Sequence, residues 1–123
     1  VVDDEAGVRT AARRVLERGG LRVCTAVDGR EAISAFTAMK DEIDAVLLDM
    51  TMPHLRGDEV YRELRRIRPD VRVVLSSGYS DPGLVADIGS EVGFLAKPWT
   101  PQQLLAAVEA VLGRPEDSAA PPR

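Results

Sequence analysis

AVLLDMTMP, residues 45–53, is the stretch that decides the fold. Four apolar residues, Ala45 to Leu48, run into Asp49, and Met52-Pro53 prepares a turn just beyond it. An apolar run this short, closed by a proline, reads as a strand rather than a helix. It has no polar face, so it belongs in the middle of a sheet that is covered on both sides. A carboxylate at the edge of such a core is costly unless something pairs with it. Asp49 therefore asks for partners at the ends of the other strands.

Upstream, Val1-Val2 reads as the remnant of a first strand. Val8, Ala11, Ala12, Val15 and Leu16 recur at helical spacing, with Arg9, Arg13, Arg14 and Arg18 on the other sides, and Gly19-Gly20 ends that helix. LRVCTAV (21–27) alternates only in part, as an edge strand does. DGREAISAFTAMK (28–40) is the next helix, with Asp28 as its N-cap and Ile33, Phe36 and Met39 facing inward. Downstream of Asp49, Val60, Leu64 and Ile67 mark a third helix that stops before Pro69. VRVVLSS (71–77) is a strand, DPGLVADIG (81–89) a short helix and VGFLA (92–96) a strand. Leu104, Leu105, Val108, Val111 and Leu112 form a last helix closed by Gly113. RPEDSAAPPR (114–123) is too polar and proline-rich to pack, which leaves residues 1–113 as one folded domain followed by a disordered tail.

Strand and helix thus alternate five times. The pattern predicts an α/β domain: a doubly wound, five-stranded parallel sheet with helices on both faces. In such sheets the site lies outside the carboxyl ends of the strands. Asp3 and Asp4 follow the first strand, Asp49 ends the third, Ser77 ends the fourth and Lys97 follows the fifth. The second strand offers only Asp28, already used as a cap, and belongs on an edge. Three carboxylates so placed repel one another unless a cation intervenes, and hard oxygen ligands suit Mg²⁺. Lys97 supplies the positive charge that a transferred phosphoryl group needs, and Ser77 a donor for one of its oxygens.

Each residue also has a plainer reading. Asp3 and Asp4 suit capping of the first helix, Asp49 a solvated strand end, Ser76-Ser77-Gly78 an ordinary turn and Lys97 a surface lysine. Their coincidence in one topology favours the site. The remaining candidates are weaker. His54 stands alone in a loop without a second soft ligand. Cys24 is expected in the core. The arginines of the first helix form a solvated face or a docking surface. No glycine-rich phosphate loop or dinucleotide fingerprint occurs.

The whole chain sets bounds on this reading. Its 123 residues suit one domain. A net charge of −4, from 16 basic and 20 acidic residues, advertises no surface for nucleic acid. A single cysteine excludes an internal disulfide and fits a reducing, cytoplasmic setting. No apolar run approaches the roughly 18–20 residues that span a bilayer, so no membrane contact is expected of this domain.

VVDDE (1–5), LLDMTMP (47–53), LSSGY (75–79) and FLAKPW (94–99) together resemble the four motif blocks of the response-regulator receiver domain of two-component signalling. The resemblance covers residues 1–113 in the family's order. It implies a flavodoxin-like (βα)5 fold with strand order 2-1-3-4-5. It also implies that Asp49 accepts a phosphoryl group from a phosphohistidine. Asp4 would bind Mg²⁺ directly, Asp3 through water and Thr51 through its carbonyl, with Asp49 completing the set. Ser77 matches the family's switch hydroxyl, Gly78 the small residue after it, Phe94 the switch aromatic and Lys97 the partner lysine. Lys97-Pro98 matches a bond that is usually cis.

By the same resemblance the domain is a regulatory phosphoacceptor rather than an enzyme, one that promotes its own phosphotransfer and dephosphorylation. The implied partners are a histidine kinase or a histidine phosphotransfer domain, with phosphorylation-dependent dimerisation. LSSGY and GFLAKPW are most like receivers attached to sensor histidine kinases, which suggests a hybrid kinase as the parent chain. Two departures stand out. Only two residues precede the acidic pair, where the family has a longer first strand, and a preceding domain is expected. The segment from Ser77 to Lys97 is slightly short, so an abbreviated fourth helix is expected. A phosphorylation-free interaction module and a flavin-binding domain are the rival readings of the same architecture.

Overall fold

A computed structural model describes residues 1–50, 57–77 and 92–113. Its elements are α1 (Ala6–Arg18), α2 (Gly29–Met39), β1 (Val46–Asp49), α3 (Gly57–Ile67), β2 (Val73–Ser77), β3 (Gly93–Ala96) and α4 (Pro101–Leu112). The helix expected over 81–89, the tail 114–123, and Thr51, His54 and Gly78 lie outside the described residues.

β1, β2 and β3 pair in parallel, Val46 with Val73 and Asp49 with Ser76, then Val74 with Gly93 and Ser77 with Ala96. Val2 extends the sheet by single parallel bridges to Leu48 on one side and Ala26 on the other. The lateral order is therefore Ala26, Val2, β1, β2, β3, the expected 2-1-3-4-5. The segment 21–27 does not form a laddered strand; it contributes Ala26 alone.

Side chains alternate across the sheet and so build two cores. Val46, Leu48, Val73 and Leu75 pack with Phe36, Val60 and Leu64 from α2 and α3. Leu47, Val74 and Leu95 pack with Ala12, Leu16, Leu104 and Val108 from α1 and α4. All residues of β1 and β2 are buried, as a central position requires. Ala11 faces solvent, whereas Ala12 and Leu16 carry the buried stripe of α1.

Caps fix the helix ends. The Asp28 side chain accepts the Glu31 N–H at 2.9 Å, and Glu31 returns a bond to the Val27 N–H. Thr100 and Gln103 form a full capping box ahead of Pro101, and Gly113 ends α4 in the left-handed region at φ 76°.

At the amino end of the sheet lies a cavity of about 630 Å³, bordered by Val1, Leu21, Cys24, Phe36, Val46 and Leu112 among others. Cys24 is exposed there rather than packed in the core. α2 covers Ala26, but Cys24 lies two residues toward the open end. Among the described residues, no helix is long and apolar enough to cross a membrane.

Candidate functional site

The opposite end of the sheet gathers charge. Asp49 is the last residue of β1, with 2% of its surface exposed, and Asp3 is 3% exposed. Lys97 reaches both from beyond β3, its Nζ 3.0 Å from Asp3 Oδ2 and 3.5 Å from Asp49 Oδ2. Burial alone would lower the Lys97 ammonium. The hydrogen bond to Asp3 and the charge of Asp49 outweigh that and hold it above its ordinary value, so it stays charged. Asp4 is exposed, and its carboxylate joins those of Asp3 and Asp49 in a cluster whose ligand oxygens lie within 4.8 Å of one another. Ser77 is buried at the end of β2, and Thr51, the remaining residue of the predicted set, lies outside the described residues.

Backbone bonds lock these positions together. The Val2 N–H donates to Leu47 O and the Asp49 N–H to Val2 O, which ties the acidic pair to β1. The Met50 N–H donates to Ser76 O and the Lys97 N–H to Ser77 O, both at 2.9 Å. The Lys97-Pro98 bond is cis, as the motif implied. Capping, the plainer reading of the acidic pair, does not hold: the N-cap of α1 is Glu5, with no side-chain cap bond, and Asp3 Oδ1 accepts the Glu5 N–H at 2.9 Å ahead of the helix. Phe94 is 40% exposed on β3, and Trp99 is half-buried against the core shared by α1 and α4.

Two residues were not singled out from the sequence. A Cβ on Gly57 would stand 2.7 Å from Met50 Cα and 3.1 Å from Asp49 O, so only glycine lets α3 start this close to the end of β1. Arg9 donates from Nη1 to the Asp3 carbonyl at 2.8 Å. Its signal was available: side chains on a helix lean toward the N-terminus, so a long donor on the first turn covers the loop ahead of it.

The arrangement offers a cluster of hard oxygen donors, a buried carboxylate and a fixed cation at one sheet edge. The chain as a whole is similar to known proteins. The family profile "Response regulator receiver domain" matches residues 1–109. The response regulator MprA of Mycolicibacterium vanbaalenii is 42% identical over 124 residues, covering 97% of this chain and 52% of MprA. The sensor kinase CckA of Brucella abortus is 33% identical over 114 residues, covering 91% of this chain but 12% of CckA. Among solved structures, a chain of the CheX–CheY–BeF3–Mg²⁺ complex of Borrelia burgdorferi superposes with a TM-score of 0.84 at 27% identity, covering 89% of this chain and 84% of that one. The chain thus spans about half of one of these curated relatives and a small fraction of the other. With the two-sided parallel sheet and the acidic cluster at its carboxyl edge, the match leaves one assignment: this chain belongs to the response regulator receiver domain family, the phosphoacceptor module of two-component phosphorelays.

Proposed function

We propose that Asp49 is the phosphoacceptor, that Asp3, Asp4 and the Thr51 carbonyl hold Mg²⁺ beside it, and that Lys97 and Ser77 bind the transferred group. The observation that carries this is the carboxylate of Asp49, buried at the carboxyl end of β1 and facing both a lysine and an acidic pair. Carboxylate oxygens packed this closely fit a hard divalent cation. When bound, Mg²⁺ would neutralise charge on the phosphoryl oxygens.

An Asp49 carboxylate oxygen attacks the phosphorus of a phosphohistidine. The new O–P bond makes an acyl phosphate as the P–N bond breaks, and the imidazole leaves with the electron pair. Lys97 faces the phosphoryl oxygens, and the Ser77 hydroxyl donates to one of them. In hydrolysis water attacks the same phosphorus, the O–P bond to Asp49 breaks, and inorganic phosphate leaves as the carboxylate returns. Asp49 itself cannot serve as a free base in either step, because it is the group that takes the phosphoryl. The switch follows from Ser77 moving toward the phosphoryl group and Phe94, exposed here, turning inward by packing alone.

A histidine kinase or phosphotransfer domain is the donor, and the setting is cytoplasmic. The parent is a larger protein, with a hybrid sensor kinase as the reading supported by the likeness to CckA. Phosphorylation-dependent pairing of two copies would transmit the output.

Intact mass after incubation with acetyl phosphate and Mg²⁺ tests the assignment. Wild type gains one phosphoryl group and Asp49→Asn gains none. Equal gain in the two proteins would overturn it, as would a wild type that never reacts.

A further inference from the structure

We infer that Arg9 is a positioning residue for the metal site, acting through the peptide that joins Asp3 to Asp4. The inference rests on the proposal that the acidic cluster holds a divalent cation.

Every polar atom of Asp3 is already committed. Its N–H donates to Ala26 O, its Oδ1 accepts the Glu5 N–H, its Oδ2 accepts Lys97 Nζ, and its carbonyl accepts Arg9 Nη1 at 2.8 Å. The last of these sets the tilt of the peptide plane that leads into Asp4. Asp4 has no comparable anchor of its own: it is exposed, lies outside α1, and joins the cluster only by where its backbone puts it. The Glu5 N–H donates to Asp3 Oδ1 and closes the far side of this turn, while the N-cap Glu5 makes no side-chain cap bond, so the near side is left to other groups. The arginine reaching back from the first turn takes over that task.

Its helix neighbours show the contrast. Arg13 pairs with Glu17 along an exposed face, and Arg14 and Arg18 are exposed. Arg9 alone of the four is half-buried, and it is the one that bonds to the acidic loop. A guanidinium suits the place because it stays charged and holds its donors in a rigid plane.

Two physical effects of Arg9 on a bound cation have opposite signs. Its charge repels the metal, so removing it should tighten binding. Its hydrogen bond holds Asp4 in place, so removing it should weaken binding. Outer partners that orient metal ligands typically change affinity by 10–100-fold, and this is taken as the larger of the two effects. Positioning wins.

The experiment is a calorimetric Mg²⁺ titration of the 123-residue chain, with a thermal melt of each variant. Arg9→Met is expected to weaken Mg²⁺ binding about tenfold, Arg9→Lys to recover part of it, and Arg13→Met to bind as wild type does. Unchanged or tighter binding by folded Arg9→Met would overturn the inference, the tighter result showing that charge alone acts. Should Arg9→Met fail to fold, Arg9→Gln decides the matter by the same criterion. Asp4→Asn separates the two levels: unchanged affinity there would sink the metal site itself, whereas weakened affinity with a neutral Arg9 result would sink only the role of Arg9.

Discussion

The two ends of one sheet obey different rules. At the carboxyl end, Asp3, Asp49 and Lys97 sit within hydrogen-bonding or ion-pairing reach, each buried or nearly so, and the backbone of three strands is tied at that level. At the amino end there is a cavity of about 630 Å³ whose lining mixes apolar side chains with charged ones such as Arg68 and Arg72. One end is held by a few directional bonds between buried charged groups. The other combines bonds from Arg68 and Arg72 to backbone carbonyls with packing that is incomplete. The first should fail sharply when one group is removed, and the second should respond mildly and even gain from added volume.

The largest effect is expected at the charged end. Lys97→Met keeps the stem and deletes the ammonium, leaving Asp3 and Asp49 buried against each other. Removing one partner of a buried pair costs about 3–5 kcal/mol. Urea unfolding in metal-free buffer should show a loss of that order, partly restored by Mg²⁺. A loss below about 1 kcal/mol would mean that the pair behaves as a surface salt bridge and that the contrast between the ends is wrong.

A matched pair of substitutions sharpens the comparison at intermediate scale. Ala12 is fully buried between α1 and the sheet, so Ala12→Leu should cost about 1–3 kcal/mol by overpacking. Ala35 borders the cavity, and Ala35→Leu should be neutral or stabilise by about 0.5–2 kcal/mol. Equal losses at the two positions would show that the cavity collapses rather than accepts a side chain.

In a protein prepared to start at Val1, the smallest effect comes from its α-amino group, which donates to Cys24 O at the edge of the cavity. Burial lowers its pKa from the usual 8.0 to about 6. Between those values the unfolded chain binds a proton that the folded chain does not, so stability should rise as pH increases from 6 to 8 and level off above it. Melting points of the free and N-acetylated protein compare directly. Acetylation should remove that part of the slope, and identical slopes would show that the amine is solvated.

The same division explains what was legible in the sequence. Asp49 and Lys97 were readable because strand ends in a parallel sheet are placed by topology, and topology follows from the hydrophobic pattern. The full order of the strands came from the family resemblance; the pattern itself placed only the second strand, at an edge. The segment 21–27, which joins the sheet only through Ala26, was less readable, because a ladder depends on the partner strand as well as on the segment's own pattern. Cys24 fell on the wrong side of the boundary between core and surface for that reason too. Gly57 and Arg9 escaped because their importance lies in distance: a 2.7 Å approach to the Met50 Cα and a bond across six residues leave only faint marks in composition or period.

The paired bonds at the end of β2 have a consequence for how such a domain can vary over generations. Ser76 O holds Met50, the residue after Asp49, and Ser77 O holds Lys97. A displacement at the tip of β2 is therefore felt at the acceptor side and at the lysine side together. The three strand ends are thus mechanically one unit, and a change at one should narrow what the other two tolerate. The exposed arginines Arg13, Arg14 and Arg18 share no such tie with that unit. A lineage can rewrite that outer face of α1, and with it whatever docks there, while the chemistry at the sheet edge passes down unaltered.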